Sequence, residues 1–241
     1  MGKFLLTSNL RKTTARLMEE AIKIPTATLW KKIDASRIVF KERRGYKLDA
    51  ILLYALVETV LKMPEVNVSW LEDGEKRGIW QHDDLNLGVS VNTKDNDVVL
   101  VAIKGGDQHN QTLSWFDRQA AAIRKKAEAG KFPPEDFFPH PIVVLNDLSS
   151  NDADGFVPIL PPGSTLMITS SRIQKEVVVL HDEPVVRPRM NITLTFDHRP
   201  IDGVKAAKFL ALFKNKLEHF QYPRQARNSL LSFEKEGETK K

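Results

Sequence analysis

Between Asn191 and Gly203 the chain changes its period within a few residues. Ile192, Leu194 and Phe196 alternate with Asn191, Thr193 and Thr195, which predicts a strand with one face in a core. A cluster of ionisable side chains follows at once: Asp197, His198, Arg199 and Asp202. Pro200 lacks a backbone donor and cannot continue an interior ladder, so the strand is expected to stop before it. Gly203 is expected to supply the dihedral freedom of a strand-to-helix turn. Beyond it Ala206, Phe209, Leu210, Phe213 and Leu217 recur at helical spacing, with Lys205, Lys208, Lys214 and Lys216 mostly between them. His198 therefore stands where a buried strand hands over to an amphipathic helix.

The rest of the chain reads as a mixture of elements. Thr7, Ser8 or Asn9 can cap a helix carrying Leu10, Ala15, Leu17, Met18, Ala21 and Ile22, which must stop before Pro25. Thr28–Asp34 reads as a strand, and Lys47 or Leu48 to Lys62 as a strongly apolar helix. Pro64–Trp70 is a turn running into a short strand. Leu85–Asn92 and Val98–Lys104 read as strands joined by a hairpin loop at Asp95-Asn96-Asp97. Thr112 or Ser114 caps an amphipathic helix that Gly130 ends. Phe132–Pro141, rich in Pro and Phe, is expected to cross a surface with little regular structure. Ile142–Leu145, Leu166–Ser170 and Val177–Leu180 complete the strands. Nothing repeats at a fixed period, and strands and helices mix without regular β-α-β alternation, which favours an α+β layer fold over a doubly wound one.

Composition removes several chemistries. The 241 residues include no cysteine, so disulfides, thiolate metal sites and an enzyme-borne thiol nucleophile are all excluded. Any sulfur chemistry must use a substrate's thiol. No apolar run reaches the length of a membrane span, and the start lacks the apolar stretch of a signal peptide, so a cytoplasmic protein is expected. The net charge of +5 is scattered, with small basic runs at Lys41–Arg44 and Arg124–Lys126. A solvated surface or a phosphate-bearing ligand accounts for it; nucleic-acid binding would call for interleaved aromatics.

An isolated His-x-x-x-Asp spacing describes many satisfied core histidines followed by a turn or helix-cap aspartate. The full stretch Asp197-His198-Arg199-Pro200-Ile201-Asp202-Gly203 says more. It closely resembles the Asp-His-Arg-x-x-Asp-Gly signature of the acyltransferase (E2) subunits of 2-oxo acid dehydrogenase complexes, whose His-x-x-x-Asp-Gly core also occurs in chloramphenicol acetyltransferases. The similarity extends in order over about residues 5–220. It takes in Leu10–Met18 with Ile24-Pro25, Pro64–Trp70, Leu85–Val91, Phe156-Val157-Pro158-Ile159 with Pro161-Pro162, and Val186–Met190.

This resemblance implies a chloramphenicol acetyltransferase-like two-layer sandwich: a mixed β-sheet covered by helices, assembled as a homotrimer. It implies a catalytic domain at 1–222, followed by a charged, flexible tail at 223–241. The family's histidine takes the proton from the thiol of coenzyme A or dihydrolipoamide, and the sulfur then attacks a thioester. His198 fills that position. His82, His109, His140, His181 and His219 lie among polar or loop residues and read as surface. Asp202 is implied to organise the histidine loop by pairing with a basic side chain, for which Arg11 and Arg16 are candidates. Thr169 lies on a strand facing this region, either as a water-mediated ligand contact or as an ordinary strand threonine.

Two departures stand out. Family members carry Ser or Thr near the end of a Thr-Ile-Ser-Asn-Leu-Gly-like segment, where its hydroxyl donates to the developing oxyanion. Counting back without gaps from Phe156 places Asn146 there, and Ser149 replaces the usual glycine. A side-chain amide can donate to an oxyanion, but it is longer than serine. In addition, no lipoylatable lysine motif occurs, so a lipoyl group is expected on a separate protein acting in trans. Three readings follow: a coenzyme A-linked acyltransferase using His198, Asn146 and Asp202; a silent trimeric scaffold that keeps the fold; and a metal site at His198 and Asp202, which lacks a third ligand at suitable spacing.

Overall fold

A computed structural model describes residues 8–94, 97–103, 111–137 and 140–220. The helices are α1 (Asn9–Ala21), α2 (Ser36–Glu42), α3 (Leu48–Lys62), α4 (Leu113–Ala129) and α5 (Gly203–Glu218). The strands are β1 (Thr26–Asp34), β2 (Val68–Asp73), β3 (Lys76–Gln81), β4 (Leu87–Asn92), β5 (Val98–Ile103), β6 (Val143–Asp147), β7 (Leu166–Ser170), β8 (Gln174–Leu180) and β9 (Glu183–Asp197). The expected hairpin residues Asp95 and Asn96, His109, and the tail from 221 lie outside the described residues.

Seven strands form one mixed sheet in the order β1-β9-β7-β6-β4-β5, with β8 also paired to β9. β6 runs parallel to both β4 and β7, and the remaining pairs are antiparallel. The alternation in β9 sorts its side chains between two faces. Met190, Ile192, Leu194 and Phe196 are buried and join the main core with α3, α4 and α5. Each large side chain so buried contributes about 1.5–3 kcal/mol. α3 is buried around most of its circumference, including Ile51, Leu52, Leu53 and Leu56, as a helix in the middle of a layer must be. α4 shows only a stripe, Phe116, Ala120, Ile123 and Ala127. Thr112 caps it, and Gly130 ends it in the left-handed region at φ +64°.

The opposite face of the sheet is more polar. Val144, Met167 and Leu160 make a small apolar cluster there. Thr28 and Thr195 join hydroxyls at 2.9 Å across β1 and β9. Asn146, Thr169 and Thr193 occupy one row across β6, β7 and β9, and Ser90 of β4 continues it.

Three features were not legible as elements. α2 and β3 are short and carry little periodicity. β9 is longer than its alternating half because it runs through Pro184 and Pro188. Pro188 is tolerated because its carbonyl accepts from Ala35 N at 2.8 Å on the side where β1 has just ended at Asp34, so the donor it lacks is not needed there.

Candidate active site

The histidine turn is fixed by its own backbone and by its neighbours. β9 ends at Asp197, whose N–H donates to Thr165 O at 2.9 Å. His198 N–H donates to Pro25 O at 2.9 Å, tying the turn to the start of β1. Pro200 and Ile201 are buried and anchor the far side of the turn. His198 is left exposed, with its ring 5.5 Å from that of Phe196. Asp202 then caps α5, accepting from Lys205 N–H at 2.8 Å. That bond, together with the Lys205 charge and neighbouring His198, holds the Asp202 carboxyl below its ordinary range. Gly203 does not play the part expected of it. It is already the first helical residue, its φ is not positive, and a Cβ there would meet nothing within 4 Å.

The signature's outer residues form a clamp around the histidine. Arg199 Nε lies 3.0 and 3.1 Å from the two Asp197 carboxylate oxygens, and Nη2 lies 2.7 Å from the second. Arg199 N–H adds a bond of 3.0 Å to the same carboxylate. Asp197 is buried, so this two-pronged pairing satisfies a charge that solvent does not reach. The guanidinium also lies 5.8 Å from the ring centre of Trp70 on β2. Trp70 Nε1 in turn donates to Glu72 at 2.9 Å. Sequence reasoning noted Asp197 and Arg199 as charges beside His198; their spacing of two across a tight turn was the available signal for the clamp.

Asn146 lies elsewhere. Its row is in register with Thr193, five residues before His198 in β9. The two candidates are therefore separated by about 16 Å along the strands and by two lateral spacings of roughly 4.8 Å. They also differ in face. Asn146 shares the polar face with Thr169 and Thr193, whereas Phe196, the ring beside His198, faces the helices. A base and an oxyanion donor must each come within about 3 Å of the same substrate. Within one chain these two do not.

The remaining candidates are dispersed. Arg11 is bound to Asp97 at 2.7 Å, not to Asp202, because α1 leans on the β4–β5 end where Ser8 also donates to Asp97 at 3.1 Å. Arg16 lies further along the same exposed helix. Thr169 is almost fully buried beside Asn146. His82, expected at the surface, is half-buried, with Nε2 2.8 Å from Ser69 Oγ, and burial lowers its pKa. The acidic loop after Asn146 is strapped down. Arg172 binds Asp152 and Asp154, and Asn191 Nδ2 donates to Asp154 O at 2.7 Å. A cleft of about 590 Å³ opens between α4 and the ends of β4 and β6. Its walls include Ser90, Asn92, Arg124, Asn146 and Asn151, but not His198. Among the described residues no cluster of three metal-ligating side chains occurs, and no helix is long and apolar enough to cross a membrane.

A mixed sheet backed on one face by helices, with a histidine turn where its long strand ends, defines the class of chloramphenicol acetyltransferase-like sandwiches. A solved chloramphenicol acetyltransferase has this fold, with a TM-score of 0.54 at 14% identity over 91% of this chain and 99% of its own. The chain belongs to the 2-oxoacid dehydrogenases acyltransferase (catalytic domain) family, whose model matches residues 5–223. It is 26% identical over 223 residues to the dihydrolipoyllysine-residue acetyltransferase component of the pyruvate dehydrogenase complex of Rickettsia felis, covering 88% of this chain and 52% of that protein. It is 27% identical over 228 residues to the lipoamide acyltransferase component of the branched-chain alpha-keto acid dehydrogenase complex of Bacillus subtilis, covering 90% and 52%. The chain thus spans about half the length of these relatives. The dihydrolipoamide acetyltransferase of Azotobacter vinelandii superposes with a TM-score of 0.80 at 20% identity, over 90% of this chain and 92% of that one. Its catalytic mechanism has been investigated through a serine, a histidine 52 positions later and an asparagine four positions beyond that.

Proposed function

We propose that the protein is an acyltransferase that moves an acyl group between coenzyme A and a dihydrolipoamide-type thiol. The observation that carries this reading is His198 itself: exposed, held at the end of β9 by the Asp197–Arg199 clamp and by the Asp202 cap of α5. A ring nitrogen of His198 takes the thiol proton as the sulfur bonds to the thioester carbonyl carbon. The carbonyl oxygen gains the negative charge. When the tetrahedral adduct collapses, the bond to the leaving sulfur breaks, and that sulfur takes the proton back from His198. A free thiol is only a few per cent ionised near neutrality, so a positioned base is worth about 10²–10⁴-fold.

Asn146 is the proposed oxyanion donor, supplied by a neighbouring copy of the chain. The Azotobacter serine stands 52 positions before its histidine, and the same interval before His198 ends on Asn146. Asp202 stands where that protein has its asparagine. The separation of Asn146 from His198 within one chain supports a homotrimer with sites between subunits. Exposed apolar side chains at Ile22, Trp30, Val177, Val179 and Val186 give such an assembly surfaces to bury. A lipoyl group is the proposed acyl partner, and a cytoplasmic location belongs to the same reading.

The test is a thiol-release assay over a panel of acyl-coenzyme A donors and dihydrolipoamide, paired with calorimetric titration of coenzyme A. Turnover that vanishes in His198→Ala supports the proposal. If no donor is turned over and coenzyme A neither binds nor shifts the melting temperature, the protein is the silent scaffold instead.

A further inference from the structure

The amide of Asn146 has two chemically opposite ends, and only one serves an oxyanion. Nδ2–H donates, whereas Oδ1 repels a developing negative charge. Some group must hold Oδ1 away from the substrate. β6 and β7 pair in register, which makes Asn146 and Thr169 neighbours on the same face of the sheet. Thr169 is 1% exposed, and its Oγ1 has no hydrogen-bond partner among the described residues. Buried hydroxyls are nearly always bonded, so one left without a partner calls for an explanation. Ser90, the other register neighbour of Asn146, is half-buried at the cleft, where solvent can satisfy it.

We infer that Thr169 is a positioning residue: its hydroxyl donates to Asn146 Oδ1 when the acyl substrate is bound, and so turns Nδ2–H toward the thioester oxygen. The inference rests on the reading of Asn146 as the oxyanion donor. It explains why a hydroxyl is kept at a site where valine would fit the same strand and leave nothing unsatisfied.

Thr169→Val removes the hydroxyl and keeps the shape. With acetyl-coenzyme A and dihydrolipoamide as probes, kcat is expected to fall by about 10-fold while both KM values stay within about 2-fold. The melting temperature should hold or rise, because an unpaired buried hydroxyl has been deleted. Thr169→Ser should return kcat to within about 3-fold. In an Asn146→Ala background, Thr169→Val should change kcat by less than about 2-fold, since no amide is left to orient. Equal losses in both backgrounds, or no loss beside the native asparagine, overturn the inference. Crystals soaked with acetyl-coenzyme A give a readout independent of turnover. Thr169 Oγ1 is expected about 2.8 Å from Asn146 Oδ1, and a hydroxyl bonded elsewhere or left unbonded overturns the inference. Absence of turnover with every donor defeats the acyltransferase reading separately, and the crystal structure still decides the Thr169–Asn146 contact.

Discussion

Arg199 grips the buried carboxylate of Asp197 with two nitrogens, the closer 2.7 Å from Oδ2, and His198 is the residue between them. The histidine is thus presented by a closed ring of two charges rather than by a flexible loop. The pairing fixes the backbone of the turn on either side of His198, while its exposed ring touches Phe196.

If His198 is the base, His198→Ala should lower acyl transfer by about 10²-fold or more. The melting temperature should stay put, because the exposed ring contributes little packing. A comparable fall in melting temperature would mean that the ring is structural, and the kinetic loss would then carry no mechanistic weight.

Arg199→Met should be costly for a different reason. It leaves Asp197 buried and unpaired, with an expected loss of about 1–3 kcal/mol, below the ~3–5 kcal/mol of a fully buried pair because Arg199 is itself a third exposed. Arg199→Lys keeps the charge but loses the fork, and should recover only part of the stability and of kcat. Denaturant unfolding of the three proteins measures this. A lysine variant equal to wild type would show that charge alone holds the turn.

Asn146→Ala should lower turnover by up to about 10²–10³-fold if the amide serves the oxyanion. Asn146→Ser separates two histories of the site. A rise with an acetyl-coenzyme A donor means that asparagine impairs the native reaction; a fall means that the site has been rebuilt around the longer amide.

Much of this arrangement is legible in the order of the residues alone. The period-2 run before Asp197 and the helical spacing after Gly203 place His198 at a strand end because each pattern needs a face in one core. Asn146 is reached only by counting against a familiar motif, since nothing local marks an asparagine in an apolar strand. What the sequence hides is tertiary. The assignment of Arg11 to Asp97 depends on where α1 meets the β4–β5 end. The Ser69–His82 bond depends on a β2–β3 pairing whose residues are largely exposed and carry no clean alternation. The opposite faces of Asn146 and Phe196 follow only from the register of β6, β7 and β9.

Lys41 gives a pH signature unconnected with catalysis. It is buried on α2, with its ammonium 5.2 Å from the centre of the Phe220 ring. Burial, with Arg44 and Arg37 nearby, lowers its pKa to about 8, against about 10.4 for an unfolded lysine. Below pH 8 both states hold the proton, and the cost of burying the charge is carried in full. Between pH 8 and 10 the folded state releases the proton while the unfolded state keeps it, so stability rises with pH. The wild-type melting temperature, measured relative to Lys41→Met, should climb across that window. Parallel profiles for the two proteins would remove Lys41 from the account.

The separation of His198 from Asn146 makes a sharper prediction about assembly. As pure proteins, His198→Ala and Asn146→Ala should each keep only about a hundredth of wild-type turnover or less. If each site takes its histidine from one subunit and its amide from the next, a mixed trimer contains an intact site built from the unmutated half of each chain. Around a cyclic trimer holding both variants, a good histidine meets a good amide at about one site in three. Co-expression of the two variants under different tags, followed by purification through both, isolates such mixed oligomers. Their activity should reach about one third of wild type per site, against near zero for each parent. Mixing the purified parents without subunit exchange should recover nothing. Mixed oligomers that form yet stay inactive would mean that both groups serve one chain's site, and light scattering from a stable monomer at micromolar concentration would rule out the shared site altogether.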